Sequence, residues 1–408
     1  MLRRITSIIF AVSIIAILAG AVIAYSRGYR IDVDQKTLST TGILSISSYP
    51  EKASILLDGK LVSATNASLS LSPAWYDLKV TLDGYQSWEK KVRVQGEVVT
   101  QIDALLIPTN PSLRALTTSG IMAPTLSESS TRVAYAISQD TEVVSAGTPA
   151  KTGVWILDLR TGLLGGRTEP KQVFSTRATL DWPNAQLLWS PNEQQLLLTF
   201  VNPKDKKKAV SRALLINIES PTLSGTDVTL QLETILAQWK TEAQEKHDLA
   251  LAVFPREIST ILNTVSANIQ IAPDDSKILY QATQSATLAP VISPGLIGSN
   301  TTSETRSLSA GKYYVYDIRE DKNFELAQTT ASPNPPTVRW YTDAKHIIMI
   351  KNDTINIIDY DGTNERTVYS GPFEKTILFP WPAGGKVVIA TNLNNPKSLP
   401  NLYEIDLR

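Results

Sequence analysis

The sequence predicts an all-β protein: an N-terminal transmembrane helix, a small β-sandwich, and a β-propeller of five or six blades with a helical insertion. Three observations predict it. An uncharged apolar run opens the chain, a compact stretch of strands and Asp-Gly or Gly turns follows, and a two-part phrase then returns along the second half. The first part reads TLSESSTRVAYAI from Thr125, LWSPNEQQLLLTF from Leu188, QIAPDDSKILYQA from Gln270, VRWYTDAKHIIMIK from Val338 and FPWPAGGKVVIAT from Phe379. The second part, a strand ending in an acidic turn, reads VWILDLRTG from Val154, LLINIESPT from Leu214, YVYDIREDK from Tyr314, INIIDYDGT from Ile355 and LYEIDLR from Leu402. A strand-and-turn unit that repeats every few tens of residues is the pattern of a propeller, because one blade cannot bury both its faces alone.

Taken in order, residues 1–4 form a short tail before the run Ile5–Tyr25, ITSIIFAVSIIAILAGAVIAY. That run is about 21 residues without a charge, close to the ~20 that span a bilayer as a helix. Arg3 and Arg4 precede it and Arg27 and Arg30 follow. The terminal amine adds positive charge on the short side, which predicts a cytoplasmic tail with the bulk of the chain extracytoplasmic. A cleaved signal peptide is the competing expectation, since Ala19-Gly20-Ala21 has small-x-small spacing. Residues 26–41 read as a polar stalk or edge segment.

Residues 42–108 show strand-length apolar clusters with no helical periodicity, and Asp58-Gly59 supplies a hairpin turn. Turns at Asp83-Gly84 and Gly96 divide the remaining strands. The ordered series Gly42, Ser48-Tyr49-Pro50-Glu51-Lys52-Ala53, Asp58-Gly59, Ala64-Thr65, Pro73-Ala74-Trp75-Tyr76 and Asp83-Gly84-Tyr85 resembles the PEGA domain, a β-sandwich of bacterial and archaeal surface proteins. Two turn positions depart from the pattern: Lys52 and Ala74 stand where the family carries glycine. The resemblance implies a fold and no activity. Pro108–Pro111 reads as a linker.

Residues 113–408 resemble TolB-type propellers, whose repeats carry a Trp-Ser-Pro-Asp-Gly-like turn before an apolar strand. Trp189-Ser190-Pro191-Asn192-Glu193 and Ala272-Pro273-Asp274-Asp275-Ser276 are the fuller copies; Trp340–Ala344 and Trp381–Gly385 are degraded ones. Strands near Leu105–Thr117 could complete a sixth blade. The phrases SRGYR from Ser26, YQSW from Tyr85 and YVYDIREDKNF from Tyr314 resemble a group of bacterial membrane-anchored proteins, and no biochemical activity comes with that likeness.

Two insertions interrupt the repeat. Leu232–Val265 has helical spacing, with Pro255 suited to a first helical turn and Ile258, Ile261, Leu262 and Val265 on one face; it is expected to pack over a blade or against the sandwich. Gln281–Gly311, rich in Ser and Thr, reads as a long mobile loop across the propeller face, removable at little cost in stability.

The chemistry-bearing residues are few. Lys+Arg and Asp+Glu balance at 39 each, so no basic patch points to nucleic acid. No cysteine is present, which excludes disulfides, thiolate metal sites and cysteine nucleophiles. His247 and His346 are the only histidines; neither has a ligand-like neighbourhood in sequence, and replacing both is expected to leave stability intact. Asp359–Asn364 alternates carboxylates like a calcium loop but lacks the downstream bidentate acid, so a hairpin turn is expected. Lys204–Lys208 reads as a solvated hairpin tip. No Gly-x-Ser-x-Gly elbow occurs, and Gly162, Gly165 and Gly166 lack the Lys-Ser/Thr of a phosphate loop. The expectation is therefore no catalytic residue, no metal site, no cofactor, and a binding site that the sequence does not locate. The function expected is non-catalytic binding or scaffolding at the cell surface, toward an envelope protein or glycan. The alternative is a propeller enzyme acting on envelope glycans or peptides.

Overall fold

A computed structural model of the chain describes residues 10, 12–20, 22, 29–32, 37–138, 151–160, 169–202, 209–220, 222–326, 338–375, 377–395 and 397–407. Residues 12–20 are helical, and among the described residues no helix is long and apolar enough to cross a membrane. The rest of the apolar run expected to span lies largely outside the described residues, as do Lys204–Lys208 and the three glycines at 162, 165 and 166. The described residues divide into two units, 1–109 with 296–303, and 110–295 with 304–408.

The first unit is a two-sheet sandwich. Gly42–Tyr49 lies between Ala67–Leu71 and, in parallel, Val99–Leu105; the facing sheet runs Lys60–Ala64, Ser54–Leu57, Ala74–Thr81, Trp88–Val94. Alternation along Gly42–Tyr49 turns Leu44 and Ile46 inward, where Ile55, Leu78, Val80, Trp88 and Val92 close the core. The hairpin at Asp58-Gly59 has positive φ at both residues (49° and 77°), the backbone that a two-residue turn needs to match strand twist. Ser48 and Thr65 explain their motif positions: the Ser48 hydroxyl reaches the carbonyl of Pro50 and the Thr65 hydroxyl, which in turn accepts the Ala53 N–H at 3.0 Å. Lys52 sits at φ 65°, which is why glycine suits that position in the wider pattern. Ala74, by contrast, begins a strand without positive φ.

One open edge of this sandwich is filled from far away in sequence. The Arg93 N–H donates to Ser299 O at 2.9 Å, and Val92 pairs with Asn300. A fragment of residues 37–109 keeps the whole apolar core, so it should still melt cooperatively by circular dichroism. Adding residues 296–303 should raise its midpoint; an unfolded fragment would show that the core does not close by itself.

The second unit holds five four-stranded antiparallel sheets among the described residues. Blade 1 is Met122–Leu126, Arg132–Ile137, Gly153–Asp158 and Lys171–Ser175; blade 2 is Ala185–Trp189, Gln195–Val201, Val210–Asn217 and Thr226–Asp227. Blade 3 is Ser266–Ile271, Lys277–Ala282, Tyr313–Asp317 and Lys322–Glu325; blade 4 is Val338–Trp340, His346–Lys351, Thr354–Asp359 and Arg366–Tyr369. Blade 5 takes Leu378–Pro380, Lys386–Thr391 and Asn401–Asp406 from the end of the chain, and its outer strand, Ser112–Ala115, from the start. The stretch considered for a sixth blade thus completes the fifth, closing the unit with hydrogen bonds rather than with another sheet.

The repeat is visible atom by atom. The turn from first to second strand has positive φ at Ser130, Glu193, Asp275, Ala344 and Gly384, each two residues before the second strand begins. A backbone bond closes each turn: Ser127 N to Arg132 O, Ser190 N to Gln195 O, Ala272 N to Lys277 O, Tyr341 N to His346 O and Trp381 N to Lys386 O. Only blade 5 uses the glycine that such a conformation favours. Register then sets the opening residue of the second strand against the last of the third: Arg132 with Asp158, Gln195 with Asn217, Lys277 with Asp317, His346 with Asp359, Lys386 with Asp406. Four pairs are cation and acid and one is amide with amide. Two of these pairs are also ion pairs, Lys277 with Asp317 at 3.6 Å and His346 with Asp359 at 3.3 Å, whereas Arg132 turns to Glu193 and Lys386 to Glu404. Between blades, Trp189 donates its indole N–H to Thr125 O at 3.3 Å and Trp340 donates to Gln270 O at 3.0 Å, so the motif tryptophans link neighbouring first strands. Apolar residues of blades 1 and 2, 3 and 4, and 5 and 1 fill shared cores.

The insertions pack on blades. The helix Leu232–Leu251 lays Trp239 and Ile235 against Leu197, Ala213 and Val228 of blade 2 and its flank. The helix Arg256–Val265 buries Ile258, Leu262 and Val265 against Ile278, Tyr280 and Tyr314 of blade 3. The Gln281–Gly311 stretch departs from the expected mobile loop. Leu288 and Leu308 are buried, Ala286–Thr287 pairs with Ser307–Leu308, and residues 296–303 join the sandwich. One carboxylate of Asp321 accepts the N–H groups of Val291 and Ile292, both at 2.8 Å, and the Tyr316 hydroxyl at 2.9 Å, with Arg306 at 3.3 Å.

Candidate functional site

The first strands of blades 1 and 2 lie side by side. Where several first strands end, a cavity of about 570 Å³ opens. Ser129 and Ser130 come from blade 1, Gln270 and Ile271 from blade 3, Arg339 and Thr342 from blade 4, and Pro380 and Pro382 from blade 5. The last turns of the long insert helix complete the wall with Lys246, His247 and Ala250. That helix reaches the mouth because Lys246 bonds the carbonyl of Pro191, in the blade 2 turn, and pairs with Glu128 at 3.5 Å.

Arg339 is the outstanding group here. Strand alternation sends Val338 and Trp340 into the core between blades 3 and 4 and turns Arg339 to the other face, toward the cavity. Its Nε is buried without a hydrogen-bond partner, and among the described residues the guanidinium has neither hydrogen bond nor ion pair. Burial alone holds its pKa below the ordinary arginine value. Arg132, whose Nε is likewise unpartnered, differs, because its Nη2 reaches Glu193 at 3.0 Å. The aromatic neighbours are engaged elsewhere: Trp340 is 6% and Tyr341 2% exposed, and the Gly385 N–H donates to the Tyr341 hydroxyl.

The residues weighed from sequence distribute differently. His247 is half-buried and lines this cavity. His346 lies inside blade 4, 3% exposed, with Nδ1 at 2.6 Å from Asp343 and Nε2 at 3.3 Å from Asp359. Burial by itself would lower the imidazole pKa. The two carboxylates outweigh it and raise the value to about 10. His346 is thus a charged structural residue, and the expectation that its loss leaves stability intact is reversed. Asp359–Asn364 is a turn, with Asp361 accepting from the Thr363 hydroxyl at 2.6 Å and Asp359 from the Asn364 amide at 3.1 Å. Among the described residues no group of three or more His, Cys, Asp or Glu is placed to hold a metal ion. Arg339 escaped the sequence reading because a single arginine in a strand is unremarkable until its partners are known.

Residues 41–110 match the PEGA domain family. No curated protein matches the chain. Among solved structures the chain is similar to a putative TolB from Agrobacterium tumefaciens, at 12% identity over 70% of this chain and 78% of that one, with a TM-score of 0.23. It is also similar to TolB from Acinetobacter baumannii, at 11% identity over 81% of this chain and 59% of that one, with a TM-score of 0.24. The β-propeller domain of Cps50 (Swd1) from Myceliophteria thermophila shares 9% identity over 73% of this chain and all of its own length, with a TM-score of 0.30. It is the five sheets of this chain that define its propeller.

Proposed function

We propose that this is a non-catalytic binding or scaffolding protein of the cell envelope, held to the membrane by residues 5–25 and displaying sandwich and propeller outside it. The observation that carries the reading is the cavity where first strands, or the turns that follow them, of four blades converge with the long insert helix around an arginine whose Nε has no partner. A rigid disc with a shaped, partly apolar mouth suits recognition: its walls are preorganised, and burial of a ligand there costs little ordering of the receptor. The PEGA match and the uncharged N-terminal run support an extracytoplasmic location.

A photo-crosslinking side chain in place of Thr342 in the full-length protein should capture an envelope component in cells, and Ala250→Trp, which fills the mouth, should abolish that capture. Capture unaffected by Ala250→Trp would overturn the mouth as the binding site. Fractionation of the same cells should place intact protein in the membrane pellet, and a shorter product in the medium, beginning near Val22 or Tyr25, would overturn the anchor.

A further inference from the structure

We propose that the propeller mouth receives a single carboxylate borne by a polypeptide, and that Arg339 is the group that binds it. The inference rests on the mouth-binding reading above and supplies the chemistry of the ligand.

The first argument is the orphaned donor. A guanidinium offers five N–H groups in a planar fork and stays charged under all ordinary conditions. Leaving such a group buried without an acceptor is expensive, so native proteins rarely do it unless something else supplies the acceptor. Here Nε is the buried donor that none of the described residues accepts from, on a side chain that is itself half-buried. The side chain nonetheless lines a cavity of about 570 Å³, room enough for a small ligand group.

Charge sets the valence. The other fixed cation of the mouth, Lys246, already faces Glu128 and the Pro191 carbonyl. One unbalanced positive charge remains, which fits a monoanion better than a phosphate dianion. A carboxylate also matches the fork of Arg339 with two parallel bonds, an arrangement shorter and stronger than a neutral contact.

The walls decide what carries the carboxylate. Ile269, Ile271, Ala250, Pro273 and Pro382 offer aliphatic surface. Sugar rings are gripped by exposed aromatic faces, and the two large aromatics at this site, Trp340 and Tyr341, are buried and hydrogen-bonded away. The mouth therefore favours a polypeptide, through an acidic side chain or through a chain-terminal carboxylate.

The test uses the full-length protein in detergent micelles, calorimetric titration, and the Nε–Hε resonance of Arg339. The probes are N-acetyl-trialanine with a free carboxylate, N-acetyl-Ala-Glu-Ala amide, N-acetyl-Ala-Gln-Ala amide, and glucuronate. At least one carboxylate peptide should bind and move the Arg339 signal, with the stronger of the two assigning the source. The Gln peptide should bind at least about tenfold more weakly, and Arg339→Gln should weaken the better peptide by about the same factor. Arg339→Leu should melt at or above the wild-type temperature, because it removes a half-buried charge whose buried Nε has no partner in the protein; a clear drop would mean the arginine serves the fold and would overturn the proposal. Equal binding of the Glu and Gln peptides would overturn the carboxylate while leaving the mouth as a binding site. Glucuronate binding as tightly as the better peptide would overturn the polypeptide assignment. If no probe binds while Ala250→Trp still abolishes crosslinking, the carboxylate inference falls alone; if crosslinking also persists, the mouth falls with it.

Discussion

His346→Gln should be among the most destabilising single substitutions in the propeller. The imidazole is buried and spans two carboxylates, Asp343 at 2.6 Å and Asp359 at 3.3 Å. Glutamine can replace at most one hydrogen bond and no charge. Removing one partner from a buried ionic group strands the other, a loss of roughly 3–5 kcal/mol. For a unit of this size that amounts to a fall in midpoint of about 5–15 °C. The pH dependence gives the variant a signature. A group whose pKa is raised in the folded state stabilises fully below its unfolded value and loses that contribution as pH climbs through its folded value. The wild-type midpoint should therefore decline between about pH 6.5, the ordinary histidine value, and the folded value of about 10. The His346→Gln curve should lack that decline, so the two should converge at high pH. Parallel curves by differential scanning calorimetry would show that His346 is not charged in the native protein.

Replacing Ala286–Leu308 with a short glycine-serine linker should also be costly. Leu288 and Leu308 are 1% and 3% exposed, and burying a leucine side chain is worth about 1.5–3 kcal/mol. The deletion further removes Arg306 and the two N–H donors that satisfy Asp321. A total loss on the order of 5 kcal/mol is expected. Burial would raise the Asp321 pKa, but the donated bonds from Ile292, Tyr316 and Val291, with Arg306, bring it below the ordinary value. That contribution is present above the unfolded carboxylate value, about 3.9, and disappears as pH falls further. Wild-type protein should therefore lose stability on acidification more steeply than the linker variant. A linker variant melting within a degree or two of wild type would mean that the segment contributes only covering surface.

Both predictions concern features that sequence periodicity could not expose. The five turns were legible because proline, Asp, Asn and Gly advertise their backbone preference, and the strands because apolar runs of that length have few other uses. What remained hidden were pairings set by register. Asp317 and Lys277 are 40 positions apart in neither a motif nor a helix turn, yet they face each other because one strand lies against the next. His346 looked inert for the same reason: Asp343 is close in sequence, but Asp359 arrives only through the third strand. The serine-rich composition of Gln281–Gly311 suggested mobility, since polar loops usually stay wet. Two of its three leucines, Leu288 and Leu308, are buried and anchor it, and single residues leave no period to detect. The mouth was beyond reach because its lining converges from four blades and an insertion.

The segment that completes the sandwich has a temporal consequence. Among the described residues, strand Trp88–Val94 finds its outer neighbour at Ser299 and Asn300. At roughly 5–20 residues per second, the ribosome needs about 10–40 seconds to make the intervening two hundred or so residues. Throughout that window the newly folded sandwich carries a bare strand edge, the feature most prone to capture by another nascent chain. Lys90, Lys91 and Arg93 sit along that strand, and like-charged edges repel one another. Their charge is thus a guard for a molecule still being built, and it becomes redundant once residue 300 has emerged and docked.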